Sequence, residues 1–487
     1  MPKNVLVGLD VGTSSVKALF ITDSGEVLDR IESKIHTNYD QSGHAEQDAN
    51  EYWQAVVDIF QRAGSLKDDV VAIGLSGQTP SVVCIDEFGN PTYPVLIWQD
   101  VRSSQEAEEL LEHFGNPVAT IGTSLPWSAS ACPAKLFWLA RNEPQVVAKT
   151  RWVLQPKDYV GFKLTGAAIS DPWSSKGLCN VLTREPIDVL FEFVGWNKQV
   201  TPELLDGQAS RGKLTALAVS ELGLSSENIK VTVGLSDAMC GMLAIGALTQ
   251  HRAFIITGTS AIVGISTDSN VTDAAGLYVI PKSCSPKAVV YGPTQSSGAS
   301  VAWVANLFGV SIDDVMGQAA KANLKFVPTY LPYISGERAP IWRTDIRGSF
   351  NRVDSAATQS EFFAAVLEGI SLHERSVLDA ASSTLSTTYS SITLGGHAGN
   401  DQRWDAIRLR TLGKGLERKT DIDSTTRGAA MLAMTNLGLG LTETVELLKP
   451  SSTPSSPDLD QINYSEARYR DFLALRSNLL SFHSSRT

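Results

Sequence analysis

Val7-Gly8-Leu9-Asp10-Val11-Gly12-Thr13-Ser14-Ser15-Val16-Lys17 is the stretch on which the reading of this chain turns. The apolar run up to Leu9 is β-type, Gly12-Thr13-Ser14 is a tight turn of small polar residues, and Val16 to Ile21 resumes as a second strand, closed by Asp23-Ser24-Gly25. A phosphate needs backbone N–H donors, hydroxyls and a compensating cation. The Gly-Thr-Ser turn supplies donors, because glycine lets the backbone approach closely. Asp10, at the end of a buried strand, is suited to hold Mg²⁺ through water, and Lys17 can reach phosphates as a point charge. Taken alone, the same residues also read as a hairpin with a polar tip. The chain has no G-x-x-x-x-G-K-[ST] and no G-x-G-x-x-G, so P-loop and dinucleotide-fold readings lose their main support.

Halfway along the chain the pattern returns. Ala253 to Thr257 reads as a strand, Gly258-Thr259-Ser260 as a turn, and Ala261 to Ser266 as a strand again. Two such hairpins, about 245 residues apart, imply two related domains sharing a ligand. Further β-type runs at Val70 to Leu75 and Ser81 to Ile85 alternate with a helical pattern at Tyr52 to Arg62, which is an α/β arrangement. Thr358 and Glu361 form a capping-box pair ahead of Phe362, Phe363, Val366, Leu367 and Ile370 at helical spacing. Residues Lys449 to Pro457 read as a surface loop, followed by a short amphipathic helix, and His373-Glu374 reads as surface.

The 487 residues exceed one compact core at roughly 150 per domain, and 43% hydrophobic with 19% charged residues is a globular composition. A formal net charge of -11 disfavours nucleic acid and anionic membrane surfaces as partners. The longest nearly apolar stretch, Ala238 to Leu248, has 11 residues, whereas a membrane helix needs about 20. The amino terminus does not read as a signal peptide. Five scattered cysteines without a C-x-x-C pair fit neither a disulfide framework nor a zinc site, and point to a reducing cytoplasm.

The Val7 to Lys17 stretch resembles the first phosphate loop of the FGGY carbohydrate kinases, within the actin-like ATPase superfamily. The likeness continues through Gly43-His44-Ala45-Glu46-Gln47-Asp48, Gly74-Leu75-Ser76-Gly77-Gln78, Trp98-Gln99-Asp100-Val101-Arg102, Lys135-Leu136-Phe137-Trp138-Leu139 and Pro156-Lys157-Asp158-Tyr159. Leu331-Pro332-Tyr333-Ile334-Ser335-Gly336-Glu337-Arg338 and Leu394-Gly395-Gly396 follow in the family's order. What the resemblance implies is two actin-like (ribonuclease H-like) α/β domains, about 1–247 and 248–487, with ATP·Mg²⁺ and a small sugar in a cleft between them. It implies phosphoryl transfer from ATP to a sugar hydroxyl; a homodimer is one assembly the sequence leaves open.

The resemblance also assigns roles. Val233-Gly234-Leu235-Ser236-Asp237-Ala238 matches the G-G-G-D-x-A-like turn that carries the family's base, with Leu235 and Ser236 in place of two glycines, so Asp237 is the candidate base. From the residues alone, an Asp after Gly-Leu-Ser is more often a helix N-cap. Gly12, Thr13, Ser14, Lys17, Gly258, Thr259, Ser260, Gly298, Gly395, Gly396 and Asn400 are the expected ATP-binding residues, with Asp10 for the metal. Gly298 belongs to Gln295-Ser296-Ser297-Gly298, a further nucleotide-side turn, and His397 stands where relatives have a small residue. Gln78, Thr79, Pro80, Trp98, Asp100 and Arg102 are the expected sugar-binding residues together with Asp237. Glycerol kinases carry Arg-Glu after the Ser-Gly-Gln turn and xylulokinases Met-His. This chain has Thr79-Pro80, and Ser130 aligns with the Tyr of the glycerol site. The remaining segments are nearest to xylulokinases, making D-xylulose the expected acceptor, with L-ribulose, gluconate, a tetrulose or glycerol as alternatives. Chaperone or filament ATPases and a non-catalytic sugar-binding protein are the other classes, and neither needs both Asp237 and the Trp98 to Arg102 segment.

Overall fold

Val5–Val11 and Ser15–Thr22 pair antiparallel in continuous register, and Val27–Lys34 adds a third antiparallel strand. On its other edge Val5–Val11 is parallel to Val70–Gly77, which is parallel in turn to Lys230–Thr232, and Ser210–Lys213 closes that side antiparallel. The burial pattern explains the order. Val5–Val11 is buried at every position, as a strand covered on both faces must be, whereas Val27–Lys34 buries only Ile31 and lies at the edge. Leu235–Ser236 also pairs with Val70–Gly77, opposite Ser76 and Gly77.

The computed structural model describes residues 4–396, 400–419 and 423–484. They divide into two units: Met1–Thr249 with Ile280–Pro286 and Ser424–Lys449, and Gln250–Val279 with Lys287–Asp423 and Pro450–Thr487. A single cut at 247/248 leaves the 424–449 segment with the second unit, whereas its contacts are with the first.

The second unit repeats the first unit's strand scheme. Ala253–Thr257 and Ala261–Thr267 form the antiparallel hairpin foreseen around Gly258-Thr259-Ser260, and Ala288–Pro293 extends it. Ser391–Gly395 and Gly415–Lys419 add in parallel, and Ser452–Ser455 closes antiparallel. Ser452–Ser455 corrects the loop expected at Lys449 to Pro457: Ser and Pro content marked a loop, but an exposed edge strand tolerates both. The final helix, Leu459–Ser484, has 26 residues and is far longer than the short one expected. The capping box at Thr358 and Glu361 is present in both halves and starts the helix Gln359–Thr384. No single helix among the described residues is long and apolar enough to cross a membrane.

Ser424–Thr435 packs directly on the first sheet. A Cβ at Gly8 would lie 1.9 Å from the Thr426 carbonyl oxygen, and one at Gly74 1.8 Å from that of Ala429. Gly428 makes the same approach to the helix Asp237–Ala244, where a Cβ would stand 2.0 Å from the Cys240 oxygen. These neighbours are backbone, so no rotamer change relieves the clash. Gly74→Ala is therefore expected to cost about 3 kcal/mol or more, the upper end of overpacking penalties. Gly317→Ala, in a helix where only the Arg403 side chain comes near, is expected instead to stabilise by about 0.5–1 kcal/mol. Chemical denaturation of both variants checks the opposite signs.

Candidate functional site

Asp10 is the penultimate residue of its strand, 6% exposed, and stands opposite Lys17 on one side and Ser76 on the other, so the three share a face of the sheet. Its Oδ1 accepts from Ser76 Oγ at 2.8 Å and its Oδ2 from Thr425 Oγ1 at 2.8 Å. Thr425 comes from the start of the helix Ser424–Thr435, a contribution that its sequence position gave no sign of.

The turn after Asp10 is braced by two buried glutamines. Gly12 N–H donates to the Ser15 carbonyl at 3.0 Å, closing the turn. Gln78 Nε2 donates to the Gly12 carbonyl at 3.3 Å and to Gln47 Oε1 at 2.8 Å, while Thr13 Oγ1 donates to Gln78 Oε1 at 3.1 Å. Gln47 Nε2 in turn donates to the Thr13 carbonyl at 2.6 Å. Ser14 is exposed beside them and Lys17 is half-buried. In the sequence Gln47 stands out only as part of the Gly43 to Asp48 motif; in the fold it holds the loop.

Asp237 opens the helix Asp237–Ala244, and the cap of that helix is Ser236, whose side chain accepts from Met239 N–H. The cap reading of Asp237 is thereby replaced. Its Oδ1 accepts from the Ala238 N–H at 2.7 Å. Gly234 has φ +86, and a Cβ there would lie 2.4 Å from the Leu75 oxygen, so this one glycine of the turn is required. Leu235 and Ser236, where relatives have glycine, simply continue as a bridge to Ser76 and Gly77. Burial pushes the Asp237 carboxyl up to about 7 and the Asp10 charge pushes it the same way, against the Ala238 N–H and the Lys176 ammonium. Burial likewise lowers Lys176 to about 8. Below the turn, Lys157 is fully buried with its Nζ 2.6 Å from Asp158 Oδ1 and 2.9 Å from Asp171 Oδ1.

The expected sugar-binding residues separate into two groups. Trp98, 37% exposed, presents an open apolar face and donates from Nε1 to Thr13 Oγ1 at 3.0 Å; Thr79 and Pro80 are half-buried. Gln78, Asp100 and Arg102 face inward. Asp100 accepts from the Ala45 N–H at 2.7 Å and pairs with Arg102, which also reaches Glu46 at 2.6 Å and stacks on Trp138.

In the second unit, Gly258 N–H donates to the Ser260 carbonyl at 2.7 Å. The 295–298 turn is laced to this loop, with Ser297 and Ala299 N–H on the Thr259 carbonyl and Gly298 N–H on that of Gly258. Gly395 pairs with Ile256 in the parallel ladder, and Gly396 has φ +84 with its Cβ position 2.3 Å from the Thr257 oxygen. Gly258, Thr259, Ser260, Gly298, Gly395 and Gly396 thus meet at the carboxyl ends of two neighbouring parallel strands, where open α/β sheets bind ligands. Asn400 is exposed ahead of the helix Gln402–Leu412, and His397 lies outside the described residues. Behind the loop, Arg408 donates to Thr257 Oγ1 at 2.9 Å and pairs with Glu374 at 3.1 Å. His373 and Glu374 are 1% and 0% exposed, which corrects the surface expectation. His373 Nε2 lies 3.2 Å from Glu337, whose Oε1 accepts the Gln295 and Arg338 N–H groups. No periodicity distinguishes this stretch, because the helix Gln359–Thr384 is buried at every position from Phe363 to Leu378.

Comparison with known proteins points the same way as this geometry. Xylulose kinase of Staphylococcus xylosus is 27% identical over 440 residues, covering 88% of this chain and 90% of that protein. The crystal structure of a xyloylose kinase from Brucella ovis superposes with a TM-score of 0.90 at 25% identity, covering 98% of this chain and all of that one. A gluconate kinase from Lactobacillus acidophilus shares the fold, with a TM-score of 0.90 at 21% identity over the full length of both chains. The N-terminal domain model of the FGGY family of carbohydrate kinases matches residues 5–244 and its C-terminal domain model residues 253–437. With both halves matched, this chain belongs to the FGGY family of carbohydrate kinases, enzymes that use ATP to phosphorylate a small sugar.

Proposed function

We propose that the chain transfers the γ-phosphoryl group of ATP·Mg²⁺ to a hydroxyl of D-xylulose, giving D-xylulose 5-phosphate, with Asp237 as general base. The observation that carries the reading is a half-buried carboxyl at the start of the helix Asp237–Ala244, pushed up to about 7 by desolvation and by the charge of Asp10, which is itself buried ahead of a phosphate-type turn. A base is most effective when its pKa lies near the working pH. Its proton affinity comes from burial first and from Asp10 second.

Asp237 accepts the proton of the acceptor hydroxyl as its oxygen attacks the γ-phosphorus, and the Ala238 N–H fixes the carboxylate meanwhile. The first loop's N–H groups and Lys17 offset phosphate charge, and the glycine edge formed by residues 258–260 and 395–396 receives the nucleotide. The donor set at Asp10 fits magnesium: a carboxylate has about four lone-pair sites, and Ser76 and Thr425 orient it. Among the described residues no cluster of three or more His, Cys, Asp or Glu could cage a metal alone, which matches an ion bound through one carboxylate, water and phosphate. When bound, Mg²⁺ neutralises charge developing on the phosphates.

Trp98 is positioned to cover the apolar face of a ketose. D-xylulose is favoured by the xylulose kinase relatives and by Thr79, Pro80 and Ser130, which lack the charged and phenolic groups of a glycerol site. Measuring ADP release against D-xylulose, L-ribulose, gluconate, a tetrulose and glycerol is expected to give D-xylulose the highest kcat/KM. A site built to hydrogen-bond particular hydroxyls rejects analogues lacking them by up to about 10⁴–10⁵. A preference for glycerol would refute the substrate assignment.

Asp237→Asn keeps the shape but cannot take the proton, so kcat is expected to fall by about 10²–10⁴ with the KM for ATP unchanged. Wild-type kcat/KM is expected to rise with pH through about 7, as Asp237 ionises. Stability supplies a second readout. The folded-state pKa lies above the ordinary 3.8, so Asp237 favours folding at low pH and opposes it as pH rises through about 7. Without ligands, the Asn variant is therefore expected to melt higher than wild type at pH 8, with the gap closing toward pH 4. Near-normal turnover by this variant would remove Asp237 from the chemistry.

A further inference from the structure

Lys135 lies in the helix Cys132–Asn142 with no exposed surface; among the described residues its ammonium forms no ion pair, and Asp100 acts on it only through its charge. Its Nζ donates instead to three backbone carbonyls: Ile97 at 2.8 Å, Leu96 at 3.2 Å and Pro80 at 3.2 Å. An ammonium has three N–H groups, so all of them are spent. Burying a charge in this way is costly, and burial lowers the Lys135 pKa to about 7. Leu136 and Leu139 of the same helix are fully buried apolar residues, so packing alone does not call for a lysine here.

What the three carbonyls have in common is their position. Pro80 ends the Gln78-Thr79-Pro80 turn. Ile97 begins the turn that presents Trp98, closed by the Asp100 N–H on the Ile97 carbonyl at 3.0 Å. The Val82 and Leu96 backbones bond to each other just beyond, at 3.0 and 3.2 Å, so Lys135 sits at the open end of a short bridge between the two segments. We propose that Lys135 is a positioning residue for the sugar site, an internal clamp that fixes the separation of the Thr79-Pro80 turn from Trp98. The inference rests on the reading of those two segments as sugar-facing. The clamp is built from one point charge and backbone oxygens, so it sets the width of the acceptor site whatever side chains stand at 79 and 80.

Lys135→Met preserves length and removes the donors, and Lys135→Gln keeps two of them. The dissociation constants of D-xylulose and of MgADP are measured by calorimetry for wild type and both variants. The sugar constant is expected to rise about 10–100-fold in Lys135→Met, because the two walls of the site are no longer held at one separation before the sugar binds, and less in Lys135→Gln. The MgADP constant is expected to stay within about twofold, a split that general loosening of the fold would not produce. An unchanged sugar constant in a folded variant overturns the inference. So does a parallel loss of both ligands, or the failure of both variants to fold, either of which makes Lys135 a residue of general stability. Wild-type protein that binds neither D-xylulose nor any acceptor of the panel removes the functional reading first and this inference with it, a result distinct from any seen only in the variants.

Discussion

Between the helix Ser424–Thr435 and the strands beneath it there is no room for a methyl group. Gly8 and Gly74 leave notches into which the carbonyls of Thr426 and Ala429 fit, and Gly428 lets the helix Asp237–Ala244 approach from its other side. The two carboxylates of the site depend on these contacts. The start of one helix brings Thr425 onto Asp10, and the start of the other carries Asp237. A displacement by the width of one Cβ would break the 2.8 Å bond to Asp10 and change the spacing from which the Asp237 carboxyl takes its proton affinity.

This placement works against stability. Asp10 is buried and Asp237 half-buried within electrostatic reach of it, so the charge on Asp10 raises the cost of ionising Asp237. Strain of this kind persists only where the surroundings over-determine the geometry. Here they do so through polar bracing. Gln47 and Gln78 fix the first loop, the Lys157–Asp158–Asp171 cluster lies under the Asp237 turn, and Arg408–Glu374 holds Thr257 behind the second loop. Buried ion pairs seldom add net stability, but breaking one partner is costly, so they resist rearrangement. Their members brace the two Gly-Thr-Ser turns and the Asp237 turn from behind.

The repeat of one strand scheme in both units accounts for the similar look of the two Gly-Thr-Ser turns. Each joins the antiparallel hairpin that starts its sheet, and each has a parallel neighbour whose carboxyl end lies alongside. The side chains around the turns nevertheless differ. Asp10 precedes the first, whereas Ile256 and Thr257 precede the second, and a glycine pair at 395–396 stands where the first unit has Ser76 and Gly77. The first turn is therefore equipped for charge and the second for close approach.

The sequence by itself determined much of the local chemistry: where the two Gly-Thr-Ser hairpins fall, where Thr358 caps a helix, and which turns are small and polar. These follow from neighbours within a few positions, where propensity, periodicity and turn chemistry act. Turn chemistry also made the repeated hairpin legible, and the resemblance of the Val7 to Lys17 stretch and of the motifs after it pointed to the family. What only the tertiary structure decided is which of those residues are already spoken for. Asp100 and Arg102 carry the right groups for a sugar but consume them on each other and on Ala45, while Trp98 keeps its face open. His373-Glu374 looked like surface because both side chains are polar, yet Glu337 and Arg408 meet them from elsewhere in the chain. Thr425 reaches Asp10 across 415 positions. A hydrogen bond is indifferent to separation along the chain, and burial is set by what packs from outside the segment. Local sequence shows what a side chain can do, and only the fold shows whether it is free to do it.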